Sequence, residues 1–153
     1  MSTDRQFVTL TVADQLCGVP VAGVRDVLSE QAITRIPLAP CEVAGSLNLR
    51  GRIVTAIDLR RRLRLPPPPP GIGGMSVVTE QGGELYALLV DQVSEVISLR
   101  VGAIEPNPAT LSAVWAAFSL GICRLDGALL VVLDVERLLE VQAGASRLRP
   151  DPG

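Results

Sequence analysis

The chain carries the same pattern twice: a glycine-bounded turn, a short apolar segment and an aspartate. The first copy covers residues 45–63 and the second covers residues 121–139. A shift of 76 positions aligns the identical residues, which are Gly45/Gly121, Leu49/Leu125, Gly51/Gly127, Asp58/Asp134, Arg61/Arg137 and Leu63/Leu139. Farther upstream, a shift of 69 positions aligns residues 16–27 with residues 85–96. An internal duplication explains both alignments, and such a repeat constrains the whole fold.

Each copy is typical of a turn, a buried strand and a capped helical turn. Glycine allows backbone at positive φ, and the β-branched residues within 53–57 favour a strand. Asp58 is a good N-cap, because its side chain can accept hydrogen bonds from the first helical N–H groups. The helix that follows would carry Leu59 and Leu63 on one face and the three arginines of residues 60–62 on the other.

Short apolar segments separated by Gly and Pro turns recur along the chain, which indicates a mostly β architecture. The predicted strand segments outside the two repeat units are residues 7–12, 16–21, 24–28, 76–79, 85–90 and 91–98. Gly18 and Pro20 predict that the second strand bends or lies at a sheet edge. Residues 110–118 are predicted as a short helix or a loop, and Asp134 starts a C-terminal helix that continues through Val141.

The domain organisation follows from the repeat. One domain is predicted over residues 5–141, with duplicated halves at 7–65 and 75–141. Five consecutive prolines and a glycine-rich stretch separate the halves, so residues 66–74 are predicted to be a linker. Residues 142–153 are predicted to be a flexible tail. We expect two small five-stranded barrels that pack around a shared apolar core.

The composition argues against several classes of function. The chain has no histidine, which is the commonest general base and metal ligand. Cys17, Cys41 and Cys123 are odd in number and widely spaced, which predicts three buried thiols without a disulfide framework or a metal site. A net charge of −2 and an aromatic content of 3% argue against nucleic acid, although six arginines lie between Arg50 and Arg64.

Other features argue against membrane insertion and catalysis. The longest uncharged apolar-rich stretch lies between Glu105 and Arg124 and contains prolines and serines, whereas a span needs about 20 predominantly apolar residues. The N-terminus resembles no signal peptide, so we expect a cytoplasmic protein. Asp91 and Glu95 could act as an acid–base pair, but no histidine, Gly-rich phosphate loop, nucleophile elbow or metal spacing accompanies them. Residues 64–70 fit the Arg-x-x-Pro-x-x-Pro ligand of an SH3-type groove, although a stiff connector is the simpler interpretation.

The two copies differ at three positions around the glycine turn. The residues in the first copy and their counterparts in the second are Asn48/Arg124, Arg50/Asp126 and Arg52/Ala128. A residue found in only one copy is not required by the shared backbone, so Arg50 is a candidate for function. A solvated arginine beside a turn would explain it equally well on these grounds.

Several motifs point to one family. They are Ile33–Pro37, Gly45–Val54 with its Asn-Leu-Arg-Gly core, Ile57–Arg60, Val90–Val96, Ile104–Pro106 and Leu125–Gly127. In this order they resemble the CheW family, the scaffold proteins of bacterial chemotaxis arrays. The resemblance extends from Phe7 to Leu139 and implies two five-stranded, SH3-like β-barrels around a shared core, in agreement with the duplication.

The resemblance implies a non-enzymatic adapter that needs no cofactor or metal. Proteins of this family join the cytoplasmic tip of a chemoreceptor to the regulatory domain of a CheA-type histidine kinase, at receptor arrays associated with the membrane. The receptor would dock between the barrels, and the kinase would contact an end of each barrel. Two alternatives stay open: an adapter for a non-flagellar pathway, such as surface motility or second-messenger control, and a kinase-ring filler that does not bind receptors.

The resemblance also assigns partner-binding roles to individual positions. Arg50 matches the receptor-coupling arginine, and Val24 matches an apolar position of the same receptor-facing region. Asp26 stands where the family usually has Glu, which shortens its reach, and Gly45 matches a position that is sensitive to added bulk. The predicted partner-binding residues are Val24, Asp26, Gly45, Asn48, Arg50, Val93 and Val96.

Overall fold

The computed structural model describes residues 4–71 and 74–140. The strands in this part of the chain are β1 (Asp4–Val12), β2 (Gln15–Pro20), β3 (Val24–Leu28), β4 (Val43–Leu49), β5 (Arg52–Asp58), β6 (Met75–Gln81), β7 (Glu84–Val90), β8 (Gln92–Arg100), β9 (Ser119–Leu125) and β10 (Ala128–Leu133). The short helices are α1 (Leu59–Arg62), α2 (Ala113–Ala117) and α3 (Val135–Leu138), and 3-10 turns lie at Val21–Gly23 and Val101–Ala103. The predicted mostly β fold is confirmed.

The strands form two five-stranded sheets that exchange strands between the sequence halves. Sheet A has the order β8-β1-β2-β10-β9, and sheet B has the order β3-β6-β7-β5-β4. The first half therefore gives β1 and β2 to sheet A, while the second half gives β6 and β7 to sheet B. Each exchange creates one parallel pair, β2 with β10 and β5 with β7. The hydrogen-bonded order ends at edge strands in both sheets, so the two predicted five-stranded units are open sheets and not closed barrels.

A shared apolar core joins the two sheets. Its central cluster contains Leu10 and Val12 from sheet A, and Ile57 and Leu88 from sheet B, each with no more than a trace of exposed surface. Smaller clusters lie within each sheet on the outer side of this core. The high hydrophobic content of the sequence is therefore used mainly between the sheets, where the predicted shared core is confirmed.

Aspartate caps start the helices that follow the two repeated strands. The Asp58 carboxylate accepts from the backbone N–H groups of Arg60 and Arg61 at 3.0 and 3.3 Å. Asp134 accepts from the N–H group of Arg137 at 3.2 Å. Both caps agree with the sequence prediction, and each satisfies N–H groups that a helix start leaves unpaired.

The prediction that Arg60 lies on the polar face of α1, opposite Leu59 and Leu63, is wrong. Leu59 and Leu63 are buried as expected, but Arg60 is also buried, with 9% of its surface exposed. It points into the protein because a carboxylate from a distant segment receives it there, an arrangement described with the candidate site.

Two further local expectations differ from the structure. β2 is the central strand of sheet A and not an edge strand. It tolerates proline because its pairing with β10 covers Cys17 and Gly18, and Pro20 is its last residue. Cys41 is exposed, whereas Cys17 and Cys123 are buried as predicted. Burial raises the pKa of the Cys17 thiol to about 12, so that thiol stays protonated and unreactive.

The remaining chain segments follow the sequence in part. The region predicted as helix or loop forms α2, which Ser112 caps through the Trp115 N–H group. The last helix begins after Asp134 as expected and ends at Leu138. Val141 and the predicted tail at 142–153 lie outside the described residues.

Candidate functional site: an arginine turn and two edge strands

A two-residue turn at the end of sheet B presents Arg50 to solvent. Leu49 pairs with Arg52, and the residues between them have φ angles of 52° for Arg50 and 86° for Gly51. Two consecutive positive φ angles in a two-residue hairpin define a type I′ turn, which matches the twist of the strands. Arginine has no intrinsic preference for this conformation, which costs a residue with a Cβ about 1 kcal/mol. The side chain of Arg50 is 81% exposed.

The equivalent turn of sheet A has the same backbone and another side chain. There Asp126 and Gly127 have φ angles of 32° and 81° between the paired residues Leu125 and Ala128. Aspartate and asparagine are the residues other than glycine that tolerate such angles best. The arginine of the first turn is therefore the conformationally unusual choice.

Asn48 and Asp26 hold the arginine turn from two sides. The Asn48 side-chain oxygen accepts from the Gly51 N–H group at 2.8 Å, which closes the turn. A carboxylate oxygen of Asp26 lies 3.4 Å from a terminal nitrogen of Arg50, so aspartate makes the ion pair despite its short side chain. The other Asp26 oxygen accepts from the Val27 N–H group at 2.8 Å, which fixes the carboxylate on β3. Three of the predicted residues, Asp26, Asn48 and Arg50, thus form one cluster.

A shallow pocket of about 160 Å³ lies beside this cluster. Its lining residues are Arg25, Asp26, Leu49, Arg50, Arg52, Glu80 and Leu85. Arg25 and Glu80 neutralise each other at 3.0 Å, and Arg50 pairs with Asp26. The remaining charged residue of the lining is Arg52, so the rim of the pocket carries a net positive charge. The pocket can accept an apolar side chain next to a hydrogen-bond acceptor or an anion.

The apolar candidates lie on edge strands at matching positions of the repeat. Val24 on β3 and Val93 on β8 are half-buried and pack against the shared core. Val96 is 54% exposed, and its counterpart Val27 is 38% exposed. β3 belongs to sheet B and β8 to sheet A, so the predicted apolar residues are divided between the two sheets. Sequence reasoning did not single out Val27, although the 69-residue shift from Val96 identifies it.

Gly45 is buried, and the structure gives it an architectural role. Its φ angle is 149°, and a Cβ atom added there would lie 2.1 Å from the carbonyl oxygen of Thr34. Thr34 and Ser46 exchange two backbone hydrogen bonds of 2.8 Å at this point. Added bulk would break this bridge, so the sensitivity expected for Gly45 needs no direct contact with a partner.

A second charged cluster was not recognised from the sequence. Arg60 donates from Nε and Nη2 to the two carboxylate oxygens of Asp91 at 2.9 and 2.7 Å. This hydrogen-bonded guanidinium holds the pKa of Asp91 below its usual range, and the same bonds raise the pKa of Arg60. Asp91 is therefore a structural carboxylate and a poor candidate for a general acid. One signal was available in the repeat: the counterpart of Arg60 is the acidic Glu136 and the counterpart of Asp91 is the uncharged Ala22, so neither member of the pair is repeated.

Other kinds of site find no support in residues 4–71 and 74–140. No group of three His, Cys, Asp or Glu side chains there is arranged to hold a metal ion. Over the same ranges, no helix has the length and apolar character required to cross a membrane.

An exposed arginine that is paired with Asp26, together with apolar residues on edge strands, is a combination that interfaces between proteins commonly contain. Comparison with known protein families identifies the class of protein. Residues 6–143 match the CheW-like domain, and the chain belongs to that family.

Named relatives and a solved structure agree with the family. The chain is 29% identical over 135 residues to a probable chemotaxis protein CheW of Rhizobium etli, covering 88% of this chain and 87% of the relative. It is 27% identical over 138 residues to the chemotaxis protein CheW of Treponema pallidum, covering 87% and 81%. The crystal structure of the scaffolding protein TtCheW from Thermoanaerobacter tengcongensis superposes with a TM-score of 0.79 and 30% identity, covering 89% of this chain and 92% of that one.

Proposed function

We propose that the protein is a non-enzymatic scaffold that couples chemoreceptors to a CheA-type histidine kinase in chemotaxis. Membership in the CheW-like family supports a chemotaxis adapter, as do relatives named chemotaxis protein CheW. The partners we propose are the cytoplasmic tip of a receptor and the regulatory domain of the kinase. The protein would act in the cytoplasm, recruited to receptor arrays at the membrane.

The observation that carries the proposal is the arginine turn. Arg50 occupies a position that favours Asn, Asp or Gly, and the repeat counterpart is in fact Asp126. The side chain is not needed for packing, since it is 81% exposed. A residue that opposes local backbone preference without packing inside the protein is best explained by a contact with a partner.

The proposed mechanism needs binding and orientation only. Arg50 would donate directional hydrogen bonds to the receptor tip, while Val24, two positions before Asp26 on β3, supplies apolar contact. Val93 and Val96 on sheet A would belong to a separate contact surface. A protein that holds a kinase beside receptors raises the effective concentration of each partner for the other, so individually weak interfaces suffice.

A titration with both partners tests the proposal. The native chain should bind the kinase regulatory domain and a receptor tip fragment, and Arg50→Glu should lose tip binding by at least tenfold while kinase binding is retained. The matched control is Asp126→Arg, which changes charge at the same turn position of the other sheet and should leave tip binding unchanged. Isothermal titration calorimetry measures both affinities.

Three outcomes would contradict parts of the proposal. Kinase binding without any tip binding by the native chain would favour the ring-filler or non-flagellar alternatives. Binding to neither partner would reject the function. Loss of cooperative unfolding in Arg50→Glu would reject the assignment of Arg50 to partner contact.

A further inference from the structure

The chain crosses between the two sheets at two places along the described strands, and the crossings are built differently. The first, from β2 to β3, is the 3-10 turn Val21–Gly23. The second, from β7 to β8, is the single residue Asp91, because β7 ends at Val90 and β8 begins at Gln92. The repeat aligns Asp91 with Ala22, which lies within the first crossing and carries no charge.

Asp91 is bonded to both sheets at this crossing. On the sheet A side, its backbone N–H donates to the Thr11 carbonyl at 3.0 Å, and its carboxylate accepts from the Ala13 N–H at 2.8 Å. On the sheet B side, the carboxylate accepts from Nε and Nη2 of Arg60 in α1, the helix that directly follows β5. Arg60 also donates from Nη1 to the Pro66 carbonyl at 2.8 Å, so the start of the linker is fixed too. The charged side chains are 11% and 17% exposed, which limits solvent screening.

The first crossing, Val21–Gly23, has no comparable ion pair or side-chain hydrogen bonds. Ala22 is exposed, and a Cβ atom added to Gly23 would meet no other atom within 4 Å. The sheets are nevertheless held together elsewhere. Arg62 of α1 donates to the carbonyls of Leu138 and Arg137 at 3.1 and 3.0 Å, so α1 and α3 stay in contact independently of Asp91.

We propose that Arg60 and Asp91 are positioning residues that fix where β8 lies relative to sheet B. Asp91 lies two positions before Val93, so the pair sets the start of the strand that carries Val93 and Val96. The arrangement of those two valines relative to the Val24 and Arg50 surface then depends on a bidentate ion pair at one crossing. The importance of this positioning for binding rests on the proposed function, but the positioning itself is measurable without any partner.

A distance measurement tests the positioning directly. Spin labels are placed on Ser94→Cys of β8 and Gln81→Cys of β6, both exposed, in a Cys41→Ala background where the other two thiols are buried. Pulsed electron resonance should give one narrow distance distribution for the parent. Arg60→Met and Asp91→Asn should broaden or shift it, and Arg60→Lys should restore part of the narrow distribution.

The matched control is Arg61→Met in the same helix. Arg61 is 62% exposed and pairs with Asp58 at 3.6 Å within its own segment, so its loss should leave the distance distribution unchanged. An unchanged distribution in folded Arg60→Met would overturn the proposal. So would failure of both Asp91→Asn and Arg60→Lys to fold, because the pair would then be required for the fold as a whole.

Binding separates this inference from the proposed function. At temperatures where Arg60→Met is folded, we expect its affinity for the receptor tip fragment or the kinase domain to fall at least fivefold, and Arg61→Met to bind as the parent does. A broadened distance with unchanged affinity for both partners would overturn the functional part of the inference. Absence of binding in the parent itself would reject the proposed function, while the distance result alone would decide the positioning.

Discussion

The β4–β5 hairpin of sheet B and the β9–β10 hairpin of sheet A have the same backbone and opposite charges at their tips. Both have a glycine near φ 150° as the third residue of the first strand, Gly45 or Gly121, which allows a loop to bridge the edge strand. Both end in an aspartate that caps a helix. They differ at the turn, where Arg50 stands in one and Asp126 in the other. The duplicated glycines and aspartates hold the fold, and the exposed turn residue that differs is the one to which we assign recognition.

The two bridging glycines should show the largest effects on stability. An alanine Cβ would lie 2.1 Å from the Thr34 carbonyl oxygen at Gly45 and 2.7 Å from the Glu105 carbonyl oxygen at Gly121. We expect Gly45→Ala to lower the free energy of unfolding by about 3 kcal/mol or more, and Gly121→Ala by about 2 kcal/mol. Urea denaturation of both variants gives the order. Equal losses, or a larger loss at Gly121, would show that these distances do not determine the cost, because the loop at Thr34 would then move away from the new Cβ atom more easily than the loop at Glu105.

The two sheet crossings provide the next comparison. Asp91→Asn leaves the buried Arg60 guanidinium without a charged partner, and we expect a loss of about 3 kcal/mol. Glu80→Gln is the control, since it removes the partly exposed partner of the exposed Arg25 and should cost less than about 1 kcal/mol. Thermal or urea unfolding measures both changes. If Asp91→Asn lost no more stability than Glu80→Gln, the result would contradict the burial of the Arg60–Asp91 ion pair.

The same pair predicts a pH dependence with a definite sign. Arg60 lowers the pKa of Asp91 in the folded protein, so the folded state favours the carboxylate. The stabilisation is complete above the unfolded pKa of about 3.9 and is lost as the pH falls through the lower folded pKa. The difference in unfolding free energy between native and Asp91→Asn should therefore be constant near neutral pH and shrink below about pH 4. A difference that persists in acid would argue against the ion pair as its source.

The sequence predicted local features well and long-range pairings poorly. Both caps, the strands and the buried Leu59 and Leu63 follow from nearest-neighbour patterns. The exchange of strands between the halves could not be predicted in this way. The same internal repeat is compatible with two separate units and with two units that exchange strands. The burial of Arg60 was missed for a similar reason: its partner Asp91 is 31 residues away and is brought close only by the parallel pairing of β5 with β7.

The candidate site could be predicted in part from the same repeat. Arg50 and Asn48 emerged because their counterparts change type, and the family resemblance added Asp26; the structure places Asn48 and Asp26 around Arg50. The resemblance also grouped Gly45 with these surface residues. Sequence position cannot show that this glycine faces a loop carbonyl inside the protein, since that contact depends on how residues before β4 fold back over it.

The two aspartate caps should differ by less than the glycines do. Asp58 accepts from two N–H groups, while Asp134 accepts from one. We expect Asp58→Ala to cost about 1.5 kcal/mol and Asp134→Ala about 1 kcal/mol, within the usual range for N-caps. Each variant should be compared with the corresponding Asn variant, which keeps an accepting oxygen and should recover most of the loss. A larger cost at Asp134 would show that α3 depends on its cap more than α1 does.

The smallest effect on stability is expected at the turns themselves, and its sign separates recognition from architecture. Arg50→Asn creates an Asn-Gly pair, the favoured sequence of a type I′ turn, so we expect a gain of about 0.5 kcal/mol despite loss of the exposed ion pair to Asp26. Asp126→Asn should change stability by less than about 0.5 kcal/mol, because aspartate already suits its turn. Urea unfolding of the two variants, with receptor-tip binding measured on the same samples, completes the comparison. A more stable Arg50→Asn protein that binds the tip at least tenfold more weakly would mean that arginine is kept against the preference of its own backbone. A clear loss of stability would instead assign Arg50 to the fold, and the difference between the two hairpins would then carry no information about partners.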